Sequence, residues 1–229
     1  MTTTTKNKNT SLVFTRDISP RPANWLLQPL VLQGGLHLWY GDTRGSHAGI
    51  DLAFALTNGL RFHDLDVAKA NVVYVTANDV ADRVEHWKNT YDAHDTPWIV
   101  DLQITNEEQM QELTEFVKAN NVELVMFDHL ATRSNDVNLN SPADIDAKIN
   151  PPLLKLIEDT AVILLHQTQQ GAQTHKLRPL MDAADMTVGV SRRSVDRGSD
   201  IVTLSFMKSF RSQMAQALTY GNDTLSRRA

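Results

Sequence analysis

The stretch GGLHLWYGDTRGSHAGIDLAFALTNG, residues 34–59, constrains the fold more than any other part of the chain. Residues 36–40 are apolar and read as a strand, residues 41–47 as a polar glycine-bearing loop, and residues 48–57 as an amphipathic helix. A strand that passes through such a loop into a helix gathers backbone N–H groups and the positive end of a helix dipole at one place, which suits an anion. The side-chain pattern that makes this a triphosphate site is G-x-x-x-x-G-K-[ST], with lysine for the β/γ-phosphates and a hydroxyl for Mg²⁺. Here the frame is present without that chemistry. Counting from Gly41 without gaps puts Ser46, His47 and Ala48 where Gly, Lys and Ser/Thr belong. Aligning on the helix instead puts Gly45 at the lysine position and Ser46 at the hydroxyl position, with a loop about two residues short. Neither register supplies a lysine.

The rest of the chain repeats the alternation. Residues 71–76 (NVVYVT), 98–104, 122–127 (VELVMF, ending on Asp128) and 161–165 (AVILL) read as strands. Helices are expected over 79–91, 106–119 and 143–159, the second with a capping box from Thr105 or Asn106 into Glu108–Gln109, the third kinked at Pro151-Pro152. Asn58-Gly59 reads as a left-handed stop to the first helix. Two long polar loops, 129–142 and 166–179, separate the later elements, and two strands around a hairpin at 192–200 follow within 186–206. Residues 208–217 look helical. Continuous apolar strands between amphipathic helices argue for a mainly parallel α/β sheet covered on both faces. A single domain is expected over 19–220, with residues 1–18 as a flexible tail and 221–229 as a frayed end.

Composition excludes several chemistries. The absence of cysteine removes disulfides, thiol catalysis and Cys-ligated zinc. No apolar run approaches the roughly 18 residues of a membrane span, and MTTTTKNKNT lacks the pattern of a signal peptide, so the expected setting is cytoplasmic. The eight histidines have no metal-ligand spacing, so no metal centre is expected. No G-x-S-x-G elbow accompanies the Ser, His and Asp residues. Trp25, Trp39, Trp87 and Trp98 read as core or interface aromatics. Charge is uneven: residues 1–170 hold 13 Lys/Arg against 22 Asp/Glu, whereas residues 171–229 hold 9 against 5. A cationic C-terminal quarter permits a surface that faces a polyanion.

Taken in order, the lead-in NWLL…GGLHLWYG, DLAFALTNG after the loop, VVYVTAND, VELVMFD, VILLHQ and KSFR resemble the RecA-like ATPase core of the RepA/DnaB-type hexameric helicases, closest to the RepA-like branch of plasmids and phages. The resemblance spans roughly residues 22–211. It implies a RecA-like P-loop NTPase core with C-terminal antiparallel strands. Asp128 stands at the Walker B aspartate that helps hold Mg²⁺. Asn78 stands at the catalytic glutamate, with Asp79 beside it. His166 and Gln167 match the sensor end of a strand, and Lys208 and Arg211 match a basic pair that reaches a neighbouring subunit's phosphates.

The departures from the family concern its chemistry. An amide at residue 78 cannot accept a proton from water. His47 is shorter than lysine and mostly neutral at pH 7, and Arg44 has a different hydrogen-bonding geometry. The expectation is a pseudo-ATPase with no cofactor, or only weak ATP/Mg²⁺ binding at Gly41, Arg44, Gly45, Ser46 and His47. It would be an oligomer of DNA replication or recombination that binds single-stranded DNA through Arg133, Lys176 and Arg178. Two alternatives stay open: an architectural or inhibitory subunit docked on an active RecA-like partner, and a divergent ATP-dependent helicase or recombinase.

Overall fold

The computed structural model describes residues 24–41, 45–77, 81–91, 94–168, 177–196, 199–209 and 217–221. Its centre is an eight-stranded sheet in the order β10-β9-β8-β3-β7-β6-β4-β5. The strands are β3 (Leu36–Gly41), β4 (Val72–Val75), β5 (Trp98–Val100), β6 (Leu124–Phe127), β7 (Ala161–Gln167), β8 (Met186–Asp196), β9 (Ser199–Ser209) and β10 (Ala217–Gly221). The six strands from β8 to β5 run parallel, and β9 and β10 extend the sheet antiparallel beyond β8. A separate ribbon, β1 (Trp25–Leu27) with β2 (Val31–Leu32), precedes β3. The expected architecture is therefore the one the chain forms.

Burial on both faces explains why the central strands carry no alternation. Every residue of β4 and β6 is buried, as are the first five of β7. Trp39, Tyr74, Met126 and Ile163 point into one core, against α1 (Gly45–Asn58) and α2 (Ala81–Tyr91). Leu38, Val73, Val125 and Leu164 point into the other, against α3 (Glu107–Ala119) and the helices that follow β6. Fully burying an aliphatic or aromatic side chain contributes roughly 1.5–3 kcal/mol, so these two layers are the main hold on the central strands. Trp87 ties α2 to α1 by stacking on Phe54, with ring centroids 5.3 Å apart, and by donating from Nε1 to Asp51 Oδ1 at 2.9 Å.

Helix ends follow local chemistry. Gly59 stops α1 at φ +65°, as the Asn-Gly pair implies. Asn106 caps α3 by accepting from the Gln109 N–H at 3.1 Å. Gln109 does not return the bond to the cap; its Oε1 accepts from the Gln103 N–H at 2.9 Å. The expected kink at Pro151-Pro152 appears as a change of winding. α5 (Pro142–Asp144) passes through a π-helical turn, Ile145–Ile149, into α6 (Asn150–Ile157), so a wide turn precedes the two residues that lack an N–H.

Four expectations are corrected. The strand expected over 98–104 ends at Val100. The loop 129–142 contains a helical turn, α4 (Leu130–Arg133). The loop expected from residue 166 starts later, because β7 continues through Gln167, and it ends in α7 (Arg178–Ala183) with Pro179 in its first turn. The helix expected over 208–217 is corrected at its ends, where Lys208 lies in β9 opposite Thr187 and Ala217 begins β10 opposite Ser205; residues 210–216 lie outside the described residues. The expected tail 1–18 and the expected frayed end 221–229, apart from Gly221, which closes β10, lie outside the described residues.

His37 is a buried polar group at the start of β3. It is fully enclosed, and its Nε2–H donates to the Leu32 carbonyl at 3.0 Å. Burial lowers its pKa below the usual 6.5, opposed by that hydrogen bond and by the nearby Asp185 carboxylate. The folded chain thus resists a proton that the unfolded chain accepts. Its contribution to stability is complete above pH 6.5 and declines as pH falls from there towards the folded-state pKa. The slope is at most about 1.4 kcal/mol per pH unit for one proton. Urea midpoints measured from pH 7.5 to 5.5 should fall less steeply in His37→Leu than in the wild type. Equal slopes would remove His37 as a source of the pH dependence.

Candidate functional site

Strands β3, β7, β6 and β4 lie side by side and end at one edge of the sheet. From β3 the chain passes through α1 to β4, across β7 and β6, which are added later. Such a crossing leaves a crevice beyond the carboxyl ends of the strands. Gly41 closes β3 there and α1 opens at Gly45; residues 42–44 between them lie outside the described residues. The first turn of α1 carries no acidic side chain to cancel its dipole.

Gly41 is held tightly. A Cβ at this position would stand 1.8 Å from the Val190 carbonyl oxygen, so the approach of β8 alone requires glycine. On the other side the Gly41 carbonyl accepts two bonds from Thr168, at 2.6 Å from the backbone N–H and 3.0 Å from Oγ1. Gly49, one turn into α1, lets the helix lie on β7: a Cβ there would meet Leu165 Cδ1 at 2.4 Å.

Asp128 follows β6 and is 2% exposed. Its N–H donates to the Val75 carbonyl at 2.8 Å, its Oδ2 accepts from Thr76 Oγ1 at 3.4 Å, and its Oδ1 lies 3.9 Å from His129 Nε2. His129 adopts φ +53°, a left-handed conformation that costs a non-glycine residue about 1–2 kcal/mol. The conformation is braced by Thr132, whose N–H and Oγ1 both donate to the His129 carbonyl, at 2.8 and 2.9 Å. His166, near the end of β7, has its pKa lowered first by burial and second by His129. A carboxylate, a hydroxyl and two imidazoles thus meet at the crevice, next to the end of Gly41's strand.

The sequence-predicted residues divide clearly. Asp128, His166 and Gln167 reach the strand ends beside Gly41, with Gln167 paired in register to Gly41 and exposed. Arg133 does not reach a nucleic-acid surface. It is 2% exposed, and its guanidinium bonds the Asp101 carboxylate and, at 3.2 Å, the Leu102 carbonyl. Its backbone carbonyl accepts from the Ile104 N–H at 2.8 Å, so Arg133 fastens the segment after β6 to the segment after β5. Arg178 is exposed and ion-paired with Asp182 at 2.9 Å, one turn along α7. Lys208 sits inside a strand, not at a helix start. Arg44, Asn78, Asp79, Lys176 and Arg211 lie outside the described residues, and for Ser46, His47 and Lys208 the description is of the backbone.

Sequence reasoning missed Thr76, His129 and Thr168. Thr76 is a hydroxyl one residue past an apolar run, and that position is its only sequence signal; Thr168 follows the polar pair His166-Gln167 and has none. The site partly fits a metal-bound polyphosphate. Asp128 can receive Mg²⁺ through water, and the start of α1 can receive phosphate. No lysine occurs from Gly41 to Asn58 to hold the β- and γ-phosphates.

A family model described as an AAA domain matches residues 3–173. No curated protein matches the sequence. Among solved structures, the crystal structure of a KaiC-like protein from the hyperthermophilic archaeon Pyrococcus horikoshii OT3 superposes with a TM-score of 0.56. The match covers 88% of this chain and 94% of that one at 15% identity, a likeness of fold.

Proposed function

From the premise that the chain belongs to the AAA domain family and has a RecA-like P-loop ATPase core, we propose that it is a DNA-binding oligomer, of the RepA/DnaB-type helicase branch, that has lost ATP hydrolysis. The observation that carries this reading is the junction between β3 and α1. Three residues connect Gly41 to Gly45, and no lysine follows through the end of the helix. A lysine on phosphate makes charge-assisted hydrogen bonds, each worth roughly 1.5–3 kcal/mol. Asn78 compounds the loss, since an amide cannot serve as the general base, a defect of about 10²–10⁴ in rate. Asp128 keeps the means to hold Mg²⁺, so weak nucleotide binding is part of the proposal.

Single-stranded DNA would be met by the basic C-terminal quarter, with Lys176 and Arg178 as contacts and Arg133 no longer among them. One experiment addresses both halves: single-turnover phosphate release with Mg²⁺, with and without single-stranded DNA, alongside DNA binding over a salt series. The expected result is no release from the wild type, His47→Lys or Asn78→Glu, because groups that act as a unit are not restored singly. DNA binding should fall steeply with salt. DNA-stimulated release that Asp128→Ala abolishes would overturn the pseudo-ATPase reading.

A second reading, a subunit that docks on an active RecA-like partner, draws on the free edge of the sheet. Trp98 and Ile99 of β5 are each 39% exposed, and Trp98 packs edge-to-face on the exposed Phe116 at 5.3 Å. Absence of DNA binding at low salt, together with a stable complex with such a partner, would favour it.

A further inference from the structure

We propose that the groove between α3 and the run from the π-helical turn Ile145–Ile149 into α6 is a docking site for an acidic amphipathic helix of a partner protein. The groove has a volume of about 600 Å³. It lies on the face of the sheet away from α1, so it does not depend on what the crevice binds. Its two walls share one period. On α3 the lining residues are Glu107, Met110, Gln111 and Thr114, and on the opposite wall they are Lys148, Pro151, Pro152 and Lys155. Each set is spaced i, i+3, i+4, i+7, one face of two helical turns. Ile104 and Met110, both buried, supply an apolar floor. Two helix faces that meet over an apolar floor leave a trough of the shape that a third helix fills.

Charge decides which helix. Pro151 and Pro152 form an apolar centre between two lysines that stand roughly 10 Å apart along the axis. Lys148 Nζ donates to the Asp136 carbonyl at 2.9 Å, a neutral acceptor that leaves its charge uncancelled. Lys155 is exposed and forms no ion pair among the described residues. The complement is a helix with carboxylates at i and i+7 around apolar residues at i+3 and i+4. Glu107 on the α3 wall repels a carboxylate turned towards it, which fixes the rotation of the incoming helix. This chain does not supply that pattern. Within its described helices the acids seven positions apart are Glu108 and Glu115 of α3, and the residues between them at i+3 and i+4 are Gln111 and Glu112, both polar. Residues 1–23 carry four Lys/Arg against one Asp, the wrong sign for this wall. The occupant is therefore a different protein.

The probe is a labelled alanine-based helical peptide of about sixteen residues, with Glu at i and i+7 and Leu at i+3 and i+4. A second peptide carries Lys in place of both Glu. Fluorescence anisotropy should show the acidic peptide bound to the wild type and the basic one at least about fivefold weaker. Lys155→Glu, at an exposed site with no ion pair to lose, should weaken the acidic peptide about fivefold or more and strengthen the basic one. Lys88→Glu, on α2 across the sheet, should stay within about twofold of the wild type for both peptides. Amide exchange should slow on binding in 104–114 and 145–155 and stay unchanged in 72–75. A lysine with a merely structural role would not reverse the preference between two peptides. No binding of the acidic peptide, equal affinity for both peptides, equal effects of the two substitutions, or protection elsewhere overturns the proposal. So does a fall in the sedimentation coefficient of Lys155→Glu without peptide, which would place a second copy of the chain in the groove.

Discussion

Gly41→Ala is expected to destabilise the protein by about 3 kcal/mol or more, at the upper end of what overpacking costs. The added methyl would stand 1.8 Å from the Val190 carbonyl oxygen, and that atom belongs to the backbone of β8, which is already paired through Val190 to Gly41 on one side and Leu204 on the other. Relief requires β8 and β3 to part at the point where the loop begins. Gly49→Ala is the control. Its methyl would meet Leu165 Cδ1 at 2.4 Å, the end of a side chain that can turn. Replacing glycine by alanine within a helix also gains up to about 1 kcal/mol. Urea denaturation should therefore show a large loss for Gly41→Ala and a change within about 1 kcal/mol for Gly49→Ala. Similar midpoints for the two variants would mean that the contact with Val190 does not set the spacing of these strands.

Trp87→Ala should cost about 3–5 kcal/mol, the range for truncating a buried tryptophan. Trp87 is 1% exposed, stacks on Phe54 and donates to Asp51, so it joins α2 to α1 through both packing and polarity. Trp87→Phe separates the two contributions. It preserves the stack and removes the indole donor, for an expected loss of about 1–2 kcal/mol beyond the smaller ring's reduced burial. The consequence extends to the site, because Asn78 and Asp79 immediately precede α2 in the chain. A phenylalanine variant as unstable as the alanine one would show that the hydrogen bond, rather than the ring, holds α2 in place.

The parts of the fold that were legible were those whose environment is uniform. Strands β4, β6 and β7 are buried on both faces, and their apolar runs show it directly. The place of Asp128 at the end of β6 was legible because it closes an apolar run. Arg133 was misread because its partner, Asp101, lies 32 residues earlier. In sequence it is a cation among asparagines and threonines, and only the folded chain shows it turned inward. Lys208 and Ala217 are good helix formers, but pairing against β8 and within β9–β10 decides their state. Thr168 carried no signal, since its role depends on strand register, which sets in across more than a hundred residues.

That same register has a consequence for how the protein is made. β3 is made before both of its neighbours in the sheet, β7 and β8, paired as Leu36↔Val162 and His37↔Met186. At about 5–20 residues per second, its first partner arrives roughly 5–25 s later. Throughout that interval β3 has both hydrogen-bonding edges open, the condition under which nascent chains pair with the wrong strand. The ribbon before β3 and the helix α1 after it are made in time to shield it, whereas its partners in the sheet are not. The order of translation therefore makes the end of β3 the first part of the crevice to be encoded and among the last to be paired.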